Sequence, residues 1–304
     1  MYRTPITRLS EGLNNNSFFA KREDLIPFSF GGNKARKAEE FKKDIIRQGA
    51  DTIITYGSSE SNHCRVIANL AKSLNMDCFI VSPLENYKKT FNTELIKMCG
   101  AKIINVPLED ISRTIDEIMN DVSKSYKPYF IPGGGHGNLG TKAYVDCFNE
   151  INEYEKENNI YFDYVFLASG TGTTQAGLVC GQIIKGDLDK KIIGISIARK
   201  CERGEKIISD SIKEYLRQDF DKKLLIFDDS YILGGYGVTN EAIFGIIKRV
   251  YTSNGIALNP TYTGKAYYGM LDYISKGEIF NKNILFINTG GTPLFFDKIE
   301  RIIK

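Results

Sequence analysis

Three glycine-rich loops carry the residues best suited to binding a small anionic ligand. They are FGGNKARK at 30–37, ASGTGTTQAGL at 168–178 and NTGGTPLF at 288–295. The middle loop follows the apolar run YVFLAS and opens the helical run TTQAGLVCGQII, so its backbone N–H groups would converge where a helix dipole favours negative charge. Because it fits neither GxxxxGK[ST] nor GxGxxG, a single phosphate suits this loop better than a nucleotide. A plain strand-to-helix turn is the alternative for this loop taken alone.

Lys34 is the second candidate, since it follows Gly-Gly-Asn and opens a run with helical periodicity. A lysine in the first turn of a helix opposes the helix dipole, which prefers anions there. A desolvated lysine near positive potential loses its proton more readily and can attack an aldehyde. On local sequence alone, a solvated cluster of Lys34, Arg36 and Lys37 is the simpler explanation.

The segment GSSESNHCR at 57–65 is the third candidate, because it directly follows the apolar run TIITY. Its serine and asparagine side chains exceed the need of one helix cap and could bind a carboxylate. His63 alone is more often a packing residue than a general base. The segment PGGGHGNLGTKAY at 132–144 carries His136 and is either a turn between domains or a loop beside a cofactor.

Short apolar runs alternate with amphipathic stretches along the chain, which predicts parallel sheets covered by helices. The predicted strands are 52–55, 78–81, 102–106, 129–131, 164–168, 192–197 and 284–287. The predicted helices include 61–74, 86–98, 111–124, 138–155 and 173–184. The strand and helix units are most compact in the first half, which predicts a small α/β domain over 47–155 and a large one over 1–46 plus 156–304.

Composition narrows the class of protein further. Of 304 residues, 42% are apolar and 25% charged, and 40 basic against 37 acidic residues give a net charge of +3, so neither nucleic acid nor an anionic membrane is favoured as a partner. The longest uncharged stretch, 164–184, contains SGTGTTQ and would be a poor membrane span. The N-terminus lacks the apolar core of a secretory signal. Six isolated cysteines and two histidines form no metal-binding pattern and predict a reducing, cytoplasmic setting.

Together, the motifs GGNKARK, SNH, SGTGTTQAG, PTYTGKAYYGM (260–270) and TGGTP resemble, in this order, those of fold-type II pyridoxal-phosphate enzymes. Within that group they look most like the 1-aminocyclopropane-1-carboxylate deaminase and D-cysteine desulfhydrase family. The resemblance runs from Lys21 to about Phe296. It implies an α/β fold of two three-layer αβα domains with mainly parallel sheets, as in tryptophan synthase beta-like proteins. It also implies pyridoxal 5'-phosphate as cofactor, a small amino acid as substrate, and a homodimer.

The resemblance assigns roles to the matching positions. Lys34 would hold the cofactor as a Schiff base and later act as a base. The phosphate would be held by Gly170, Thr171, Gly172, Thr173 and Thr174. Asn62 would bond the ring hydroxyl, and Thr289 would reach the ring nitrogen. The substrate carboxylate would face Ser61, Asn62 and His63, and the substrate would be flanked by Tyr236 and Tyr262. The expected catalytic set is Lys34, Ser61, Tyr236 and Tyr262.

The implied reaction is β-elimination from a small β-substituted amino acid, giving a 2-keto acid and ammonia. Ring-opening deaminases of the family usually carry glutamate after the tyrosine of YxGK and leucine before the late glycine pair. Here Thr263 and Thr289 stand at those positions, which favours the desulfhydrase side. Three alternatives stay open: opening of the cyclopropane acid, β-replacement by a synthase of the same superfamily, and a sensor that binds a phosphate ligand without catalysis.

Overall fold

The computed structural model describes residues 3–84 and 89–304. Its strands are β1 (Ile6–Arg8), β2 (Ser17–Arg22), β3 (Thr52–Tyr56), β4 (Asp77–Pro83), β5 (Lys102–Val106), β6 (Pro128–Ile131), β7 (Tyr164–Ser169), β8 (Lys191–Ser196), β9 (Ile226–Asp228) and β10 (Asn283–Asn288). Its α-helices are α1 (Asn33–Gln48), α2 (Asn62–Ser73), α3 (Phe91–Met98), α4 (Ile111–Val122), α5 (Asn138–Asn158), α6 (Thr173–Lys185), α7 (Cys201–Leu216), α8 (Glu241–Asn254), α9 (Thr263–Lys276), α10 (Thr292–Phe296) and α11 (Ile299–Ile303). Short 3-10 turns lie at Glu23–Leu25, Leu108–Asp110 and Lys222–Leu224.

The chain divides into two compact units. The large unit comprises the residues up to Asn33 together with Thr141–Lys304, and the small unit is Lys34–Gly140. Both boundaries lie inside the first turn of a helix, at the start of α1 and of α5. The small unit therefore begins and ends earlier in the chain than the predicted 47–155.

Side-chain contacts of these two helices explain the shift. On α1, Asp44 accepts a hydrogen bond from the Tyr129 hydroxyl of β6 at 2.6 Å, which ties α1 to the small unit. On α5, Tyr144, Phe148 and Ile151 are buried in a core cluster of the large unit. The alternation of strand and helix segments along the sequence could not show these contacts, because both helices follow short loops and have similar patterns of apolar residues.

The sheet of the large unit has the strand order β1-β2-β10-β7-β8-β9, and only the β1–β2 pair is antiparallel. Neighbouring residues of its central strands enter different cores: Phe166 and Phe286 belong to one cluster, whereas Val165 and Leu285 belong to the other. Both faces of the sheet are thus covered, which is the three-layer arrangement expected of parallel strands that read as continuous apolar runs. The predicted α/β class with mainly parallel sheets is confirmed.

The sheet of the small unit has the order β5-β4-β3-β6, with all neighbours parallel. Helix α2 packs on β3 and β4, and α4 packs on β3, β4 and β6. The carboxyl ends of parallel strands meet at one edge of a sheet, where ligands of open α/β folds bind. The segments that follow β3 and β6, 57–61 and 132–137, therefore lie at that edge.

All seven predicted strands are present, whereas β1, β2 and β9 were not predicted. The predicted helix over 86–98 is present as α3 from Phe91, and its residues 86–88 lie outside the described part of the chain. Among the helices that the structure describes, none is both long and apolar enough to cross a membrane.

Candidate active site

Three glycine-rich segments meet inside the large unit, and Asn33 joins them. Its backbone N–H donates to the Thr289 carbonyl at 3.0 Å, and its Nδ2 donates to Thr174 Oγ1 at 3.0 Å. Asn33 is also the first residue of α1, so Lys34 is the next residue along that helix. The structure thus brings together the ends of FGGN, SGTGTT and NTGG, which lie far apart in the sequence.

Two glycines make this junction possible through close backbone approach. A Cβ on Gly32 would lie 2.6 Å from the Thr289 carbonyl oxygen, and one on Gly290 would lie 2.6 Å from Gly32 Cα. Both have positive φ, 93° and 82°, a region that other L-residues rarely adopt. One backbone contact therefore accounts for glycine in two separate motifs.

The 169–174 loop is a candidate anion-binding site at the N-terminus of α6. Strand β7 ends at Ser169, Gly172 occupies the left-handed N-cap position with φ 91°, and α6 begins at Thr173. Within the described chain no side chain caps this helix, so the N–H groups of its first turn are left for a ligand. The Arg199 guanidinium donates to the Gly170 carbonyl and fixes the start of the loop.

Two hydroxyls of this loop are buried without a partner. Ser169 is 2% and Thr173 is 0% exposed, and neither Oγ has a hydrogen-bond partner among residues 3–84 and 89–304. A buried polar group left without a partner costs about 1–3 kcal/mol, so native proteins contain few of them. A phosphate would supply acceptor oxygens to both hydroxyls. The loop therefore fits the phosphate group of pyridoxal phosphate.

Thr289 lies at the same sheet edge as the 169–174 loop, because β10 and β7 are parallel neighbours. It directly follows Asn288, the last residue of β10. The buried Asn288 side chain accepts from the Gly290 N–H at 3.3 Å through Oδ1, and its Nδ2 has no partner in the described chain. Here too a buried donor is left over, as expected beside a ligand with acceptor atoms.

Thr263 is connected to this sheet edge through Asn259. Its Oγ1 accepts from the backbone N–H of Asn259 at 2.8 Å and from Asn259 Nδ2 at 3.1 Å. The same Nδ2 donates to the Gly290 carbonyl at 2.8 Å. Both side chains are buried. The PTYTGK motif is thus connected to the TGG loop, and the Thr263 hydroxyl is used in that connection.

Tyr236 and Tyr262 meet in the large unit. Their hydroxyl oxygens are 2.5 Å apart, and the rings form an edge-to-face pair with centroids 5.9 Å apart. Tyr262 stands at the N-cap of α9, and its N–H donates to Asn259 Oδ1 at 2.8 Å. The tyrosine pair is therefore linked through Asn259 to the loop that carries Thr289.

In the small unit, the Lys34 amine lies at the loop that follows β6. Nζ of Lys34 donates to the Gly134 carbonyl at 2.9 Å, and Nζ of Lys37, one helical turn later, donates to the same oxygen at 3.4 Å. Burial, together with the charge of Lys34, lowers the pKa of Lys37 well below its usual value. Because the two amines lie on one carbonyl oxygen, the state in which both are charged is disfavoured.

The simpler explanation of a solvated cluster of cations is wrong for two of its three members. Arg36 is 2% and Lys37 is 1% exposed, and only Lys34 is half-buried. Buried cations need partners, and local sequence cannot show that a carbonyl from a loop about one hundred residues away provides one.

Ser61 and Asn62 lie at the start of α2, next to the sheet edge. Ser61 is the N-cap, and its Oγ accepts from the His63 N–H at 3.0 Å. The Asn62 side-chain oxygen accepts from Asn92 Nδ2 at 3.0 Å. Both side chains are partly exposed, so this helix N-terminus can receive an anion.

The His63 side chain is buried and points its Nε2 at the strand end. Nε2 is 2.9 Å from Thr55 Oγ1, and that hydroxyl donates to the Ile131 carbonyl at 2.7 Å. Because a hydroxyl has one hydrogen, Nε2 must be the donor of the first bond. Burial, with the charges of Lys34 and Lys37, lowers the pKa of His63 well below its usual value. A neutral imidazole follows, and its Nε2–H is used on Thr55.

Sequence reasoning missed four residues in these clusters: Asn33, Lys37, Gly134 and Asn259. Lys37 had a signal, since it follows Lys34 by three positions on a predicted helix. Gly134 had a weaker signal, because it belongs to a run of glycines that follows a predicted strand. Asn33 and Asn259 gave no signal, because their hydrogen bonds join segments distant in sequence.

Across the described residues, no group of three or more histidine, cysteine, aspartate or glutamate side chains could hold a metal ion.

Comparison with known proteins finds relatives in both sequence and structure. The family model described as "Pyridoxal-phosphate dependent enzyme" matches residues 1–290. The D-cysteine desulfhydrase of Yersinia pestis (strain Pestoides F) is 34% identical over 305 residues, covering 96% of this chain and 91% of the relative. The D-cysteine desulfhydrase of Klebsiella pneumoniae subsp. pneumoniae is 34% identical over 312 residues with the same coverage. A crystal structure described as an ACC deaminase homologue is 33% identical, covers 100% of this chain and 94% of that one, and has a TM-score of 0.88.

Proposed function

Because the chain belongs to the family of pyridoxal-phosphate dependent enzymes, we propose that it is a lyase that eliminates the β-substituent of a small amino acid, and that D-cysteine is its substrate. The products would be a 2-keto acid, ammonia and sulfide. The observation that supports the proposal most is the junction of the three glycine-rich segments at Asn33, next to Lys34. The choice of D-cysteine follows the relatives that carry the name D-cysteine desulfhydrase.

The loops that follow β7 and β10 would bind the cofactor phosphate and the ring nitrogen. The backbone N–H groups of 170–174 and the hydroxyls of Ser169 and Thr173 would bind the phosphate, since these hydroxyls are buried and have no partner in the described chain. Thr289 would offer a neutral hydroxyl to the ring nitrogen. Bound pyridoxal phosphate supplies an electron sink for the substrate Cα.

Lys34 would provide the covalent link to the cofactor, and the N-terminus of α2 would bind the substrate carboxylate. Lys34 would hold the cofactor through Nζ, and its amine would also be the base that takes the proton from the substrate Cα. Its position on the Gly134 carbonyl orients the amine. Ser61 and Asn62 would bind the substrate carboxylate at the N-terminus of α2, where the helix dipole favours an anion, and Asn62 would also bond the ring hydroxyl.

The tyrosine pair would act on the β-substituent. Tyr236 and Tyr262 would flank the substrate, and their hydroxyls are hydrogen-bonded to each other. One tyrosine would donate a proton to the departing thiolate, and the other would stabilise the phenolate that this leaves. A phenol with a usual pKa of about 10 is a weak acid, so this assistance suits a good leaving group such as thiolate or chloride.

A panel of amino acids scored for keto-acid release tests the proposal. It contains D- and L-cysteine, D- and L-β-chloroalanine, serine, diaminopropionate and the cyclopropane acid, with Lys34→Ala as the inactive control. We expect D-cysteine and D-β-chloroalanine to be processed and the cyclopropane acid to be poor or inert. Opening of the cyclopropane acid with a kcat/KM equal to that of the best β-substituted substrate would contradict the proposal. A new amino acid formed only when sulfide or amine is added would indicate a synthase instead.

We propose in addition that the enzyme is a cytoplasmic homodimer. Support for the compartment comes from its cysteines, which are free thiols, as expected where glutathione keeps thiols reduced. Light scattering on the purified holoenzyme tests the oligomeric state, and a mass of one chain, 34.2 kDa, would contradict it.

A further inference from the structure

Lys265 is a fully buried cation held by backbone carbonyls. It lies on α9 with an exposure of 0%, and no carboxylate pairs with it in the described part of the chain. Its Nζ donates to the carbonyl oxygens of Ile197 at 3.0 Å, Ile232 at 3.0 Å and Gly235 at 3.2 Å. An ammonium has three N–H donors, so all three are used. Burying a charge is costly without compensating bonds, and these three carbonyls provide them.

Two of the three carbonyls belong to the 229–240 loop, which connects β9 to α8. This loop has little structure of its own: Leu233, Gly234 and Gly235 all have positive φ. Its few internal backbone bonds include Gly235 N–H to the Ile232 carbonyl at 3.0 Å and Val238 N–H to the Gly235 carbonyl at 3.4 Å. The acceptors of those bonds are the same two oxygens that Lys265 binds. The lysine thus holds the loop at the points where it turns.

The third carbonyl connects the loop to the phosphate side of the site. Ile197 follows β8 directly, and its side chain lies 3.4 Å from where a Cβ on Gly170 would stand. Gly170 belongs to the 169–174 loop. One ammonium therefore joins the 229–240 loop to the backbone next to the anion-binding site, all within the large unit.

Tyr236 and Tyr262 stand at the two ends of this arrangement. Tyr236 follows Gly235, whose carbonyl Lys265 binds, and Tyr262 lies one helical turn before Lys265 at the N-cap of α9. The hydroxyl contact of 2.5 Å between the tyrosines requires the loop and the helix to keep a fixed separation. Two side chains of α9 hold the loop: Asp272 accepts from the Tyr231 hydroxyl at 2.7 Å, and Lys265 binds the carbonyl next to Tyr236.

We propose that Lys265 is a positioning residue, which holds the 229–240 loop so that the Tyr236 hydroxyl meets that of Tyr262. The inference rests on the proposed function in one respect, the role of the two tyrosines at the substrate. The protonated form is needed, since a neutral amine has two hydrogens for three carbonyls. Burial lowers the pKa of Lys265 to about 8, and the three carbonyl bonds oppose that loss of charge.

Hydrogen exchange of the holoenzyme tests the positioning without any substrate. Peptides covering 229–240 are compared between wild type and Lys265→Met, which keeps the chain length and removes the donors, with β7 peptides as internal control. We expect the loop to be protected in wild type and to exchange about tenfold faster in the variant, with β7 unchanged. A loop that is unprotected in wild type, or equally protected in both proteins, overturns the proposal. If Lys265→Met does not fold, Lys265→Gln replaces it in the same comparison.

A double-mutant cycle tests whether Lys265 acts through Tyr236. We expect Lys265→Met to lower kcat/KM for D-cysteine about tenfold with the cofactor absorbance unchanged, and to lower it less than about twofold in a Tyr236→Phe background. Equal losses in both backgrounds would assign Lys265 a merely structural role. If wild type does not turn over D-cysteine, the proposed function fails, and the exchange experiment still decides on Lys265.

Discussion

Replacing Thr173 by valine should stabilise the cofactor-free protein and weaken cofactor binding. The Thr173 side chain is fully buried, and its hydroxyl has no partner in the described chain. Valine keeps the branched shape and removes the polar atom, which costs about 1–3 kcal/mol when it is buried without a hydrogen bond. The unfolding free energy of the cofactor-free protein should therefore rise by about 1 kcal/mol or more.

The effect on binding has the opposite sign. A hydrogen bond to a charged group such as a phosphate contributes about 1.5–3 kcal/mol, and 1.4 kcal/mol is tenfold in affinity. The Kd for pyridoxal phosphate should accordingly rise by about 10- to 150-fold in Thr173→Val. A substitution that stabilises the empty protein while it weakens the complex identifies a group kept for its ligand.

The neighbouring Thr174 provides a matched control. Its Oγ1 already accepts a hydrogen bond from Asn33 Nδ2 at 3.0 Å, so Thr174→Val should lower the unfolding free energy of the cofactor-free protein by about 1 kcal/mol. Urea unfolding of the stripped proteins measures stability, and absorbance titration with pyridoxal phosphate measures affinity. If Thr173→Val destabilises the stripped protein like Thr174→Val and binds the cofactor like wild type, the hydroxyl is not a phosphate ligand.

Three further predictions concern single positions. Lys34→Ala should lose the lysine-linked absorbance and nearly all keto-acid release, and retention of either in the purified variant refutes the assignment. Gly172→Val should raise the Kd for pyridoxal phosphate, because φ is 91° and a Cβ would lie 2.6 Å from Ile208 Cγ1; unchanged affinity in the titration would contradict this. The hydrogen bond from the Tyr129 hydroxyl is the main cause of the lowered pKa of Asp44. This bond therefore stabilises the fold fully above pH 3.8, the ordinary carboxyl pKa. The stabilisation is lost as the pH falls through the lower pKa that Asp44 has in the folded protein. Tyr129→Phe should thus cost about 1 kcal/mol at pH 7, a difference that urea midpoints should show shrinking below pH 3.8.

The strands that the sequence predicted are those whose burial shows as apolar runs, such as YVFLAS in β7 and NILFIN in β10. Strand β2 was missed because its sequence, SFFAKR, ends in two cations. Lys21 is nevertheless buried, since it donates to the Thr4 carbonyl at 2.8 Å and pairs with Glu150 at 2.5 Å. A charge that is neutralised by a partner 129 positions away cannot be recognised as a core residue from its own neighbourhood.

The candidate site divides in the same way. Glycines of two motifs could be recognised from the sequence, because the backbone adopts a positive φ at Gly32 and at Gly172. The assignment of Thr263 by position alone did not indicate that its hydroxyl is bonded twice to Asn259. The Nε2 atom of His63 is a donor because the Thr55 hydroxyl donates its one hydrogen to the Ile131 carbonyl. That bond is set by the register of the strands and not by the SNH motif.

The most direct test of the account is to find the lysine that carries the cofactor. The purified holoenzyme is reduced with borohydride, digested, and the pyridoxyl-modified peptide is sequenced by mass spectrometry. We expect modification of Lys34 and of no other lysine. Modification of Lys37, whose amine lies on the same Gly134 carbonyl oxygen, or of any lysine outside α1, would contradict it.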